Sequence, residues 1–352
     1  MKSDHTKRIE PKRASSPTIT DVAKDAGVAI MTVSRVINGG SYVSEATEKR
    51  VRASIERLGY KPNEAARTLK GQRARLIGLI VPDLADSFFA TCANAVQEVA
   101  GHLGYMTMIV ASERRTDFEA DEIEMMAARN IAGLILVPSR TDASQRLDEI
   151  RSHGVPIVTL DRVLAGLPAG EVTVENCGGA EEAVIHLIGH GHRRIACLGY
   201  DAQFSTIQER IQGYTTAMRA ASLPTEIMPN LETAAAVSAA LHGRLRAADR
   251  PTALFTLNNV TTIHVLTTLR EMNLQVPDDV ALIGFDDFEL APLLATPLTA
   301  VRQPPVEIGR RGAQLLFEAI REHATSGTLP GKIKIILPTE LILRRSCGCG
   351  SV

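Results

Sequence analysis

The hydrophobic pattern of this chain changes period once, near Leu76, and that change limits what it can build. Before Leu76, apolar residues recur three and four positions apart in short stretches bounded by glycine, which is helical spacing. After it come short aliphatic runs: "LIGLIVPD", "YMTMIVAS", "GLILVPS" and "VPIVTLDR", then "RRIACLGY", "TALFTLN" and "VALIGFDD". Amphipathic helix patterns separate them, for example over 89–103 and 118–129. Strand–helix–strand alternation implies parallel sheets joined by right-handed crossovers. Because the series starts twice, two doubly wound lobes are expected. "LTAVRQP" reads as the crossing back to the first lobe, 305–324 as its last helix, and "KIKIILPTELILRR" as the segment that closes the sheets.

The part before Leu76 is small and basic. Up to Arg75 it holds sixteen Lys and Arg against eight Asp and Glu, so the remainder carries −9 of a chain whose net charge is −1. A basic head on an acidic body suits a polyanion partner. Within the head, Thr20 is a candidate N-cap for a helix striped by Val22, Ala23 and Ala26. Gly27 supplies a tight turn, with Val28 as a core plug. A second helix is predicted over 30–37, with Val33, Val36 and Ile37 inward. Asn38, Gly39 and Gly40 stop it, and a third starts after Ser44 with Val51, Ile55 and Leu58 on one face. This is a helix-turn-helix with a supporting helix. The outer face of its second helix carries Ile30, Met31, Thr32, Ser34 and Arg35. A helix of this kind fits the DNA major groove, where Arg can bond guanine in bidentate fashion and short hydroxyls or amides meet phosphates.

The residues also narrow the other classes of protein. No run reaches the roughly 18 apolar residues of a membrane span, and "MKSDHTKRIEPKRASSP" lacks the apolar centre of a secretory signal. Five cysteines fit a reducing cytosol better than a disulfide framework. Cys347 and Cys349 lack a second ligand pair nearby in sequence, and "GHGH" (Gly189 to His192) reads as a turn, so no metal site and no cofactor is expected. No P-loop, no G-x-G-x-x-G after a strand and no nucleophile elbow is present, so no enzyme is expected.

In doubly wound sheets ligands gather at the carboxyl ends of strands, so a cleft between the lobes is the default site. Those ends hold Asp86, Phe88 and Phe89, then Asp161 and Arg162, Asn258 and Asn259, Asp286 and Asp287, with Arg210 on a helix that follows "CLGYD". Phe89 has an alternative reading as core, and Asp287 as a helix cap.

The stretch "TITDVAKDAGVAIMTVSRVINGGSYVSEATEKRVRASIERLGYKPNEAARTLKGQ" resembles the DNA-binding head of the LacI/GalR (lactose-repressor) family of bacterial transcription regulators, and the likeness continues through the body. The resemblance implies a hinge helix in "KPNEAARTLKG", seven residues long between Asn63 and Gly71, too short to persist alone in water. It implies that Leu69 wedges into the minor groove, and it adds Asn63, Ala66 and Lys70 to Thr20, Ala29, Ile30, Met31, Thr32, Ser34, Arg35 and Asn38 as DNA-contacting positions. It also implies that Phe88, Asp161, Arg162, Arg210, Asn258 and Asp286 hold a small effector, usually a sugar or a relative; Asp86 and Phe89 join them by position. Two departures stand out. Ala29 occupies a place where the family commonly has Ser or Thr, and Asn258–Asn259 one where it commonly has Asn-Asp. With one acid fewer beside two arginines, a sugar acid is the expected effector class.

The expected fold class is therefore an all-α helix-turn-helix head plus hinge helix, joined to an α/β core like the periplasmic binding proteins. The expected boundaries are a disordered basic tail over 1–17, the head over 18–62, the hinge over 63–75 and an effector-binding and dimerisation domain over 76–346. Its first lobe takes about 76–175 and 305–333, its second about 176–304 and 334–346, and a tail follows over 347–352. Expected partners are a palindromic double-stranded DNA operator, a small sugar or sugar-acid effector and a second copy of the chain, in the cytoplasm and with no membrane. The competing expectation is a solute-binding protein of the same body fold with no regulatory role.

Overall fold

The computed structural model describes residues 17–37, 43–60, 74–139, 141–142, 145–199 and 202–349. The hinge helix and Asn38, Asn63, Ala66, Leu69 and Lys70 lie outside them, as does most of the basic tail. The chain divides into two compact units, one ending at Gln72 and one beginning at Arg73.

The first unit packs helices α1 (Ile19–Ala26), α2 (Ile30–Ile37) and α3 (Glu45–Leu58) around Val22, Ala23, Ala26, Val33, Val36 and Val51. The cap of α1 corrects the sequence expectation: it is Thr18, not Thr20. Thr18 accepts from the Asp21 amide, and the Asp21 carboxylate accepts in return from the Thr18 amide at 2.8 Å. An acid three positions on makes that reciprocal pair possible for Thr18, whereas three positions after Thr20 stands Ala23. Gly27, at φ 63°, ends α1 in the left-handed conformation and donates to the Lys24 carbonyl, as the turn required. An Arg57–Asp25 ion pair joins the last turn of α3 to the end of α1.

The second unit contains two six-stranded sheets. Its first lobe runs β1 (Leu76–Val81), α4 (Ser87–His102), β2 (Met106–Ala111), α5 (Thr116–Ala128), β3 (Gly133–Leu136), α6 (Gln145–Ser152), β4 (Ile157–Leu160) and β5 (Gly170–Val174). The second lobe runs α7 (Asn176–Gly189), β6 (Ile195–Leu198), α8 (Ser205–Ala220), β7 (Glu226–Met228), α9 (Ala234–Arg244), β8 (Ala253–Thr256), α10 (Asn259–Glu271), β9 (Ala281–Phe285) and β10 (Thr299–Arg302). Then α11 (Pro305–Ser326) returns to pack on α4, β11 (Ile333–Leu337) joins the first sheet, and β12 (Glu340–Ile342) joins the second.

The sheet orders are β11-β5-β4-β3-β1-β2 and β12-β10-β9-β8-β6-β7. Among the described residues all strand pairs are parallel except β10–β12. One lobe boundary moves. β11 pairs with β5 from Ile333↔Gly170 to Leu337↔Val174, so the last crossing falls after Leu337 and 334–337 belong to the first lobe. Aliphatic side chains from β1, β3 and β4 fill the first core on both sheet faces, and those of β6, β8 and β9 the second. Two-sided burial is why these strands read as unbroken aliphatic runs.

Candidate DNA-reading head and effector cleft

On the head, α2 divides its residues by face. Val33 and Val36 are buried, while Ile30 is 46% and Met31 65% exposed, with Ala29 and Arg35 also in solvent and Thr32 and Ser34 half-buried. Neither of these two exposed aliphatic side chains in the first turn of α2 belongs to the head's core. The Ala29 carbonyl accepts from the Thr32 and Val33 amides, so Ala29 holds the cap position of α2 without a side-chain oxygen to complete it. Such a cap lacks about 0.5–2 kcal/mol that Ser or Thr would add. Thr20 lies exposed in the first turn of α1.

In the body, parallel strands deliver their carboxyl ends to one interlobe cleft. All eight sequence-nominated residues line a single cavity there: Asp86, Phe88, Phe89, Asp161, Arg162, Arg210, Asn258 and Asp286. Asp86 follows β1 and caps α4, its Oδ1 accepting from the Phe88 amide at 3.1 Å. Asp161 and Arg162 follow β4, and Asp286 follows β9. Asp161 and Asp286 take φ values of 62° and 73°, a left-handed backbone that costs a non-glycine residue roughly 1–2 kcal/mol. That strain sits on the two carboxylates turned toward the cavity. Asn258 caps α10, accepting from the Thr261 amide at 2.7 Å.

Arg210 is the hub. Its Nε donates to Asn176 Oδ1 at 2.8 Å, and its Nη1 donates to the Leu257 carbonyl at 2.7 Å and reaches Asp286 at 3.4 Å. Its guanidinium lies 3.7 Å from the Phe285 ring centre. Gln303, just after β10, donates to Asp286 Oδ1 at 2.5 Å, while its own carbonyl oxygen is buried with no partner among the described residues. The cavity thus combines a buried acceptor that lacks a partner with a guanidinium in its wall, groups that can bond a hydroxyl and an oxyanion.

The lobes touch across the cleft. Asn259 Nδ2, from the second lobe, donates to Asp86 Oδ1, from the first, at 3.0 Å. Arg162 stacks 3.8 Å from the ring centre of Phe204. In this arrangement the inner cavity measures only about 30 Å³, room for two or three waters. An outer chamber of about 560 Å³, shared through Arg114 and Arg162, opens beyond it. Burial pushes the Asp86 carboxyl up, against the Asn259 bond. It pushes Asp161 up too, against Arg162 and Arg210.

Several residues of this cavity escaped the sequence reading: Arg114, Thr206, Ile207, Val260 and Gln303. Arg114 and Gln303 each follow a strand, so the strand-end rule applied to β2 and β10 would have found them. Conversely, Asp287 neither caps a helix nor lines the cavity. Arg344 and Arg302 both donate to it, at 2.7–3.0 Å, and though burial opposes them they hold its carboxyl below the usual range. Phe89 is 4% exposed and belongs to the first-lobe core as well as to the cavity wall. The Cys347–Cys349 pair does have a second pair of ligand-type residues beside it, His186 and His190; "GHGH" is nonetheless a helix end and turn, with His190 capping α7 and Gly191 at φ 89°.

Comparison with known proteins agrees with both parts. Residues 18–63 match the family model of bacterial regulatory proteins, lacI family, and residues 184–347 that of a periplasmic binding protein-like domain. The chain is 33% identical to the HTH-type transcriptional regulator DegA of Bacillus subtilis, over 94% of this chain and 97% of that protein. It is 33% identical to the HTH-type transcriptional repressor PurR of Photobacterium profundum, over 87% of this chain and 92% of the relative. Among solved structures, the lac repressor dimer bound to operator and the anti-inducer ONPF superposes with a TM-score of 0.79 at 25% identity, covering 95% of this chain and 99% of that one. No helix among the described residues is long and apolar enough to cross a membrane. A groove-sized helix-turn-helix joined to a two-lobed binding body, matched along almost its whole length, makes this chain a member of the LacI family of bacterial transcriptional regulators.

Proposed function

We propose that this protein is a cytoplasmic, homodimeric repressor that binds a palindromic operator and releases or tightens on it when a small sugar-like acid occupies the interlobe cleft. It carries out no catalysis on that ligand. The observation that carries this reading is the convergence of the eight strand-end residues on one cavity latched across the lobes by Asp86 and Asn259. A ligand cannot fit the inner cavity while that latch stands, so binding and lobe arrangement are coupled by volume alone. Coupling of this kind is reciprocal between the two sites.

The charge inventory favours an anion. Arg114, Arg162 and Arg210 face Asp86, Asp161 and Asp286 around the cavity, and two of those three carboxyls are held toward the neutral form by burial. In the head, Arg35 would read guanine, Ile30 and Met31 a thymine methyl, and Thr20, Ala29, Thr32, Ser34 and Asn38 the backbone. Asn63, Ala66, Leu69 and Lys70 would supply the hinge contacts, with Leu69 as the wedge. The test is to sequence DNA fragments selected by the purified protein from genomic DNA, then repeat with sugars and sugar acids added. Enrichment of a two-fold symmetric site that one sugar acid alters supports the reading. Calorimetry showing neutral sugars bound and sugar acids ignored removes the acid.

A further inference from the structure

We propose that His186, His190, Cys347 and Cys349 form a tetrahedral zinc(II) site that fastens the C-terminal tail to helix α7. The four residues come from two segments 161 residues apart, and their donor atoms all lie within 4.8 Å of one another. His186 and His190 stand four apart at the C-terminal end of α7, so their rings share one helix face, with centres 4.6 Å apart. Gly348, at φ 92°, turns the chain between the two cysteines, so that both thiols meet the same imidazole.

The spacings are those of a ligand set. Cys347 Sγ lies 3.3 Å from His186 Nε2, and Cys349 Sγ lies 3.3 Å from His186 Nε2 and 3.2 Å from His190 Nε2. A tetrahedron with Zn–S near 2.3 Å and Zn–N near 2.0–2.1 Å has nitrogen–sulfur edges of roughly 3.6 Å, a few tenths of an ångström longer. The donor chemistry selects the ion: two thiolates and two imidazoles suit zinc, whereas magnesium and calcium want oxygen.

A supporting shell is in place. The Thr299 hydroxyl donates to Cys347 Sγ at 3.2 Å and itself accepts from the Arg344 amide at 2.9 Å. A donor aimed at sulfur stabilises thiolate and orients the ligand. Cys347 is buried, while His190 is exposed and Cys349 half-buried, so the site has a solvent side for metal entry. On binding, each thiol loses its proton to water and forms a Zn–S bond, and each neutral imidazole gives its Nε2 lone pair. Two protons are released and the completed site is neutral. The same helix begins at Asn176, which accepts from Arg210, so the staple anchors the far end of the helix that helps position that cavity arginine.

The test uses full-length protein isolated anaerobically with reductant, stripped with chelator, and titrated with cobalt(II). The expected result is one equivalent per chain giving the intense visible bands of tetrahedral thiolate cobalt, displaced by zinc, with a rise in melting temperature. His190→Ala, at an exposed position, and Cys349→Ser are each expected to weaken metal affinity by more than the roughly 10–100-fold that losing a ligand's supporting partner costs, while Cys177→Ser leaves it unchanged. Weak octahedral cobalt bands, binding retained in both ligand variants, or a Cys347–Cys349 disulfide in the isolated protein would overturn the site.

Discussion

The head and the cleft are built on opposite plans. In the head, the residues that hold the fold and those offered to a partner are separate sets. Val33 and Val36 face the small core, and Ile30, Met31 and Arg35 face outward from the same helix. In the cleft the two sets coincide: Asn258 caps a helix, Asp86 caps another, and Arg210 ties α8 to Asn176, Leu257 and Asp286. A recognition surface made of spare side chains can be rewritten cheaply. A pocket made of structural side chains cannot, and any ligand that enters it must rearrange what holds the lobes.

That contrast sets the size of mutational effects. The largest belongs to Arg210→Ala, which leaves Asp286 and Asn176 without their buried partner. It should destabilise the body by about 3–5 kcal/mol, read as a lowered urea midpoint. A change under about 1 kcal/mol would mean that the cleft is as separable as the head. Its counterpart, Arg35→Ala, should leave the urea midpoint within about 0.5 kcal/mol and weaken operator binding by about 1–3 kcal/mol, with relaxed specificity at one base position. Loss of stability there would break the comparison from the other side.

A third substitution sharpens the cleft alone. Asn259→Asp replaces the donor on Asp86 with a second carboxylate, so the latch becomes a repulsion and the cavity gains negative charge. Losing the latch eases entry of any ligand, so the charge is read as a ratio: affinity for a sugar acid relative to its neutral sugar should fall about tenfold or more by calorimetry, since each 1.4 kcal/mol is one decade; the chain has no tryptophan to report it by indole fluorescence. An unchanged ratio would dismiss the anion. The smallest effect is on pH. Burial raises Asp86 and Asp161, so as pH falls toward their raised values the cavity loses negative charge first. An anionic effector should bind more tightly as pH is lowered toward those raised values, measured by calorimetry across a pH series. For folding the sign is the same: the neutral carboxyls favour the folded state, and their contribution is lost as pH rises through the raised values.

How much of this was legible in the sequence follows from the same physics. Strands buried on both faces announce themselves as aliphatic runs, and strand-end polar residues follow from the direction of a parallel sheet. What stayed hidden depends on distant partners. β5 is missing from the aliphatic runs because it carries Glu171, a buried charge that Lys332 pairs at 2.7 Å from a distant part of the chain. β11 reads as second-lobe sequence until its pairing with β5 is seen. Gln303 lies in a stretch read as a crossing, and the histidine–cysteine cluster joins segments that no local spacing connects. In the head, one acid three residues after Thr18 decided which threonine caps α1.

The central claim is that occupancy of the cleft alters the grip of the head on DNA. The most direct measurement is operator affinity at fixed salt, with and without a saturating sugar acid found by thermal shift. The account predicts a change of about 5–150-fold, equal to the reciprocal change in effector affinity when operator is bound. Operator affinity that stays the same while calorimetry shows the cleft filled would contradict it.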